Sequence, residues 1–188
     1  MIKDFFAFVF ELVKIIVISL VIIIPIRYFL IQPFYVKGAS MEPNFFDKEY
    51  LIIDEISYRF NAPKRGDIVV FRYPQDPQEY FIKRIIGLPG EKVQLKGGDV
   101  YVFNQANPDG IKLDEPYLPA NLRTYALNEE PVTLSDNQFF VLGDNRNSSR
   151  DSRYFGPVNK SFFIGKVFFR GFPFDRVQLF NQQQYNFN

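Results

Sequence analysis

The sequence predicts a mainly β domain preceded by one transmembrane α-helix. Two observations carry that expectation. A long uncharged apolar stretch lies near the N-terminus. The remainder breaks into short runs rich in Ile, Val, Phe and Tyr, separated by Pro, Gly and Asn clusters. Composition agrees: 47% of the 188 residues are hydrophobic and 18% aromatic, with 23 Phe and 11 Tyr. That is too apolar for a disordered chain and suits a β-rich core or a surface that meets lipid.

The helix is expected over residues 12–31. Residues Ile15 to Ile26 carry no charge, and Lys14 and Arg27 flank them. At 1.5 Å per residue the stretch covers roughly 30 Å, one hydrocarbon thickness. Lys14 and Arg27 could each snorkel to its own interface. Tyr28, Phe34 and Tyr35 would form an aromatic belt on the C-terminal side, and Pro25 is tolerable near the end of such a helix. Residues 1–11 would precede it as a cytoplasmic or interfacial segment, since Phe5, Phe6, Phe8, Val9 and Phe10 are apolar without a clean stripe. The h-region of a cleavable signal peptide has a similar core, but here Lys3 is offset by Asp4 and Glu11 follows, so the leading segment is not basic. A buried core helix is the other alternative, and so one-sided an apolar run is hard to bury in a small β domain. Orientation is poorly fixed, because large domains translocate largely regardless of charge.

Residues 32–188 then read as one β-rich domain. Strands are expected at Tyr50–Ser57, Asp67–Tyr73, Tyr80–Gly87, Lys92–Leu95, Asp99–Phe103, Gln138–Leu142 and Phe162–Phe169. Leu88-Pro89-Gly90 and Gly97-Gly98 supply hairpin turns, and Pro63 to Asp67 a turn that feeds a strand. The stretch 104–135, rich in Pro and Asn, looks like an excursion from the core. The Asn/Gln-rich tail 181–188 is expected to fray.

Composition also bounds the chemistry. A formal charge of +1 gives no basic face for nucleic acid. With no His and no Cys, a Ser-His-Asp triad and a cysteine nucleophile are impossible, and a zinc site is improbable. Any serine nucleophile must use a lysine or a carboxylate as its base. Ser40, in Lys37-Gly38-Ala39-Ser40-Met41-Glu42-Pro43, is the candidate. Gly38 permits unusual dihedrals and close approach of a substrate backbone beside it. The segment would serve equally as a plain turn leading out of the membrane.

Lys83 is the candidate base. On a strand, Phe81, Lys83 and Ile85 share one face, and Ile82, Arg84 and Ile86 the other. Apolar neighbours can strip water from the ammonium and lower its pKa, leaving a neutral amine able to accept a serine proton. An edge-strand lysine pointing into water fits the same local pattern. The polar run Gly143 to Arg153 mixes Asp, Arg and Ser closely enough for an internal ion-pair and hydroxyl network. Arg146, Arg150 and Arg153 would repel a cation there, so no metal is expected.

These pieces together resemble type I bacterial signal peptidase, a membrane-bound Ser/Lys endopeptidase. Ser40-Met41-Glu42-Pro43 is similar to the nucleophile box and Arg65 to Phe71 to the following strand box. Lys83 to Glu91 is similar to the general-base box, and Gly143-Asp144-Asn145-Arg146 through Asp151-Ser152-Arg153 to the supporting box. The resemblance implies a coiled β-sheet peptidase domain with a hairpin insertion, which residues 104–135 could supply. It implies Ser40 as nucleophile, Lys83 as general base and Ser149 as the hydroxyl that orients the lysine, with Asp144, Asp151, Arg153 and Arg84 in supporting ion pairs. Ser149 is chosen over Ser148 by counting back from Asp151. Phe34, Val36, Phe81 and Ile82 match positions that line the substrate pockets. Gly38 stands where some members carry a second oxyanion-hole hydroxyl, so backbone N–H groups would do that work. The partners implied are signal-peptide-bearing pre-proteins and the lipid bilayer, with no cofactor. The location implied is the bacterial plasma membrane, single-pass, with the catalytic domain on the extracytoplasmic side. The alternative is a non-catalytic membrane-anchored β domain that docks partners.

Overall fold

The computed structural model describes residues 2–29 and 31–180, with side chains placed from Asp4 to Ile24 and from Pro33 to Phe180. The side chains of Pro25, Arg27 and Tyr28, and the tail 181–188, lie outside the described residues.

One helix, α1 (Ile2–Phe29), opens the chain. Its segment Asp4–Ile24 is long and apolar enough to cross a membrane, and none of it is buried against the rest of the protein. Residues 2–11 of the expected leading segment are therefore continuous with the helix, because Phe5, Phe6, Phe8 and Phe10 extend the apolar surface toward its start. Lys14 consequently lies inside the apolar helix, 3.8 Å from Glu11 one turn earlier, rather than at its end. The last expected helical residue, Ile31, instead begins strand β1 (Ile31–Tyr35).

The remainder is β-rich. The larger sheet uses β1, β2 (Tyr50–Asp54), β3 (Ile68–Tyr73), β4 (Asp76–Gly87), β9 (Gln138–Leu142), β10 (Val158–Asn159), β11 (Phe163–Phe172) and β12 (Gln178–Leu179). Its order is β1-β2-β11-β3-β4-β9-β10, with β12 also on β11. Its strands pair antiparallel throughout the described residues, and β3 and β4 form a tight hairpin in which Tyr73 faces Asp76. The sheet coils: β1 and β4 are separated by three strands in the order, yet the Phe34 and Tyr80 rings meet edge-on at 5.5 Å.

The smaller sheet uses β5 (Lys92–Lys96), β6 (Asp99–Phe103), β7 (Ile111–Lys112) and β8 (Val132–Thr133), in the order β7-β6-β5-β8. The excursion 104–135 thus contributes one short strand to each edge of the β5–β6 hairpin. Two short helices, α2 (Ser57–Phe60) and α3 (Ser152–Phe155), complete the elements used below.

Strand alternation sorts side chains into three apolar clusters. On β4, Ile85 and the half-buried Phe81 enter one built on Phe71, Val69 and Val141. Ile82 packs into a second with Val36, Met41, Phe45, Leu51 and Val70. Ile86 joins a third, with Val93, Val102, Phe140 and Leu142, which ties the two sheets together.

Candidate active site

Ser40 sits in the connection between β1 and β2. The ladder continues past Tyr35 through bonds between Val36 and Glu49 and between Lys48 and Val36, after which the chain turns sharply. Gly38 takes φ = +84°, a left-handed conformation that a side chain would strain, and its N–H donates to Asp47 Oδ1 at 2.8 Å. Directly after Ser40, Met41 (1% exposed) and Phe45 (0%) plug the second apolar cluster and fix the turn from below.

Lys83 reaches this turn from the middle of β4. It is 3% exposed, and its Nζ donates to Ser40 Oγ at 2.8 Å and to the Ile82 carbonyl at 2.8 Å. Its Nζ also lies 5.3 Å from the centre of the Phe81 ring. Burial pushes the amine down from 10.5 to about 8, and the charges of Asp151 and Asp144 pull weakly the other way. An edge-strand lysine in water is thereby excluded: the group is enclosed and bonded to a hydroxyl, and none of its hydrogen bonds among the described residues is to a carboxylate.

Strand β9 ends beside the pair. A side chain at Gly143 would have its Cβ 2.1 Å from Ser149 Oγ and 2.4 Å from the Ser40 carbonyl oxygen, so only glycine lets the loop after β9 approach the Ser40 turn this closely. Ser149 is buried and its hydroxyl makes no hydrogen bond among the described residues, whereas Ser148 is exposed. The expected bond from Ser149 to Lys83 is not formed here, because the amine is turned to Ser40 and the Ile82 carbonyl.

The supporting residues form two ion pairs, Arg84–Asp144 buried at both ends and Arg153–Asp151 buried at the carboxylate. Asp144 accepts from Arg84 Nε at 2.8 Å and Nη2 at 2.6 Å, and from Asn44 Nδ2 at 2.8 Å. Asp151 accepts from Arg153 Nε and Nη2, both at 2.8 Å, and from the Gly143 N–H at 3.0 Å. Asp151 also caps α3. Phe34, Val36, Phe81 and Ile82 line one cleft of about 550 Å³ that also contains Ser40 and Lys83, with Arg150, Lys37 and Glu79 at its polar rim.

A part-buried serine–lysine contact thus stands at the head of an apolar cleft carried by a coiled β-sheet. Residues 9–172 match the family described as "Signal peptidase, peptidase S26". The chain belongs to that family. It is 43% identical to a probable signal peptidase I-2 of Synechocystis sp., covering 90% of this chain and 76% of the relative. It is 38% identical to the signal peptidase I of Bacillus amyloliquefaciens, covering 90% and 91%. A solved signal peptidase I of Enterococcus faecalis is 32% identical, over 56% of this chain and 97% of that one, with a TM-score of 0.46. The protein is a serine endopeptidase of the signal peptidase I type, and its family is membrane-anchored.

Sequence reasoning missed several supports. Asn145 lies inside the supporting box but carried no expected role, although it donates from Nδ2 to the Ala39 carbonyl at 3.0 Å and from its N–H to the Ser40 carbonyl at 3.1 Å. Buried Glu49 accepts from Arg170 at 3.0 Å and from Arg176 at 2.5 Å, and both arginines also bond the Asn44 carbonyl. Arg146 is held by Glu115 and Thr124 from the excursion. An apolar run interrupted by one charge, as at Arg170 in Phe168-Phe169-Arg170-Gly171-Phe172, is the only local signal for such a residue.

Proposed function

We propose that the protein removes N-terminal signal peptides from exported pre-proteins at the membrane through a Ser40/Lys83 dyad and an acyl-enzyme. The supporting observation is the 2.8 Å contact between Lys83 Nζ and Ser40 Oγ in a site that lowers the amine to about 8. A neutral Lys83 takes the Ser40 proton as Oγ attacks the scissile carbonyl. The carbonyl oxygen becomes an oxyanion and is met by backbone N–H groups, including that of Ser40. None of the hydrogen bonds among the described residues uses that N–H. One such donor is commonly worth about 3 kcal/mol. Collapse of the tetrahedral species breaks the C–N bond, and Lys83 hands its proton to the leaving amine. Lys83 then takes a proton from a water whose oxygen attacks the acyl carbon; collapse breaks the C–Oγ bond, Lys83 returns the proton to Ser40 Oγ, and the signal peptide leaves with its new carboxyl end.

Ser149 acts as the hydroxyl that orients the amine after the first transfer, since it is buried behind Gly143 with no competing partner among the described residues. Asp151 and Arg153 hold Gly143 and the loop that carries Ser149. Arg84 and Asp144 fix the Asn44 end of the nucleophile turn. Substrate lies extended along the free edge of β1, with β4 as the facing wall. Phe34, Val36, Phe81 and Ile82 leave room for small side chains, in keeping with the Ala-x-Ala pattern of cleavage sites. Helix α1 is the single-pass anchor. The catalytic domain stands on the extracytoplasmic side, where a translocated cleavage site emerges.

The test is cleavage of a signal-peptide-bearing precursor by the full chain in detergent. Ser40→Ala and Lys83→Ala should each abolish cleavage while circular dichroism and the melting transition show a folded domain. A Lys83→Ala enzyme that keeps most of its activity refutes the assigned base.

A further inference from the structure

We propose that Asn145 is a positioning residue that aims the Ser40 N–H at the substrate oxyanion; this rests on the reading of Ser40 as nucleophile. The geometry is that of two consecutive peptide planes held by one residue. The Asn145 side chain donates to the Ala39 carbonyl at 3.0 Å, and the Asn145 backbone N–H donates to the Ser40 carbonyl at 3.1 Å. The Ala39 carbonyl and the Ser40 N–H belong to the same planar unit and point in opposite directions across it. Fixing the carbonyl on the Asn145 side therefore fixes the N–H on the cleft side. The second bond fixes the plane on the other side of Ser40, and together they set the backbone about the Oγ-bearing carbon.

The donor itself is rigidly mounted. Asn145 stands between Asp144 (0% exposed) and Arg146 (2%), each tied into the buried frame. Arg146 Nε donates to the Gly143 carbonyl at 3.0 Å, and its other nitrogens engage Glu115 and Thr124, so the excursion braces the loop from outside. Among the described residues, the only other donor to the Ala39 carbonyl is the Glu42 N–H at the longer distance of 3.2 Å. Without the Asn145 amide, the plane keeps that weaker tether alone and can rock. A group that aims an oxyanion donor should affect the tetrahedral species and leave ground-state binding alone.

The experiment uses the full chain in detergent with a peptide ending its signal segment in Ala-x-Ala. It also uses the matching peptide aldehyde, to whose carbonyl Ser40 Oγ adds to give a tetrahedral oxyanion. Asn145→Ala should lower kcat by about 10- to 100-fold, a fraction of the loss of a whole oxyanion donor. KM should stay within about twofold, and the aldehyde should bind more weakly by the same factor as kcat. The inflection of kcat/KM with pH should not move, because Asn145 does not touch Lys83. Asn145→Asp, the same shape without the donor, should lose at least as much. It serves as the second variant if Asn145→Ala melts early. The proposal is overturned if either folded variant keeps kcat within about twofold of wild type. It is also overturned if the loss appears in KM with aldehyde affinity unchanged. Ser40→Ala, run alongside, separates the outcomes: residual cleavage there would remove the nucleophile itself, whereas a dead Ser40→Ala with a fully active Asn145→Ala sinks only the positioning role.

Discussion

Lys83 and Arg84 are neighbours on β4, equally buried, and they meet opposite electrostatics. Arg84 faces a carboxylate that takes two of its N–H groups at 2.8 and 2.6 Å, and its guanidinium lies 3.8 Å over the Tyr117 ring. Lys83 faces a hydroxyl and a carbonyl. Both positions remove water, but only one supplies a counter-charge in direct contact. Burial with a counter-charge keeps a cation and makes it a structural pin, while burial without one makes a base. One strand thus carries a strut on one face and a reagent on the other, a single residue apart.

The largest break in that contrast comes at the strut. Arg84→Met leaves Asp144 (0% exposed) with Asn44 as its remaining side-chain partner among the described residues, and an uncompensated buried charge costs about 3–5 kcal/mol. Chemical denaturation of the full chain at pH 7 should show a loss of that order with little change in slope. An Arg84→Met protein as stable as wild type would mean that Asp144 is not dependent on its arginine.

The reagent should respond with the opposite sign. Below pH 8 both folded and unfolded states keep the Lys83 proton, and the folded state carries a buried cation. With the amine at about 8 against 10.5 in the open, that burden is about 3 kcal/mol. Between these values the unfolded state binds more protons, so stability rises with pH, and above 10.5 the burden is gone. Lys83→Met, which carries no charge, should therefore gain most over wild type near pH 7, and the gain should shrink toward pH 10. A difference that stays flat from pH 6 to 10 would show that Lys83 is not held against its charge.

Much of the frame was legible in the sequence, because it is local. Strands β6 and β9 fall on the expected residues, and β3, β4 and β5 differ by a few positions at their ends. Two-residue strands such as β7, β8 and β10 were not, since two positions hold no period and are defined only by the partner. Strand β1 was absorbed into the helix and its aromatic belt because Ile31, Phe34 and Tyr35 are apolar whichever element they join. Ser40 and Lys83 could be nominated from the missing His and Cys and from strand alternation, but their meeting across 43 positions is a product of the coiled sheet. The Glu49–Arg170–Arg176 cluster spans more than a hundred residues, and its one local trace is the charge of Arg170 inside an apolar run.

The finest test of the contrast between the two cations is to change the field at Lys83 without touching it. A protonated lysine cannot accept the serine proton, so kcat/KM should rise with pH through an inflection near 8 and then level, measured with a substrate slow enough that acylation limits. Asp151 is among the charges that favour the ammonium form. Asp151→Asn removes that charge while retaining an oxygen to accept the Gly143 N–H, so the inflection should move to lower pH. The displacement should be small, because burial is the larger cause and stays in place. The plateau should fall as well, since Arg153 loses the carboxylate that holds two of its N–H groups. An inflection that moves upward, or does not move, would mean that the pKa of Lys83 is set by something other than the balance of burial against the nearby carboxylates.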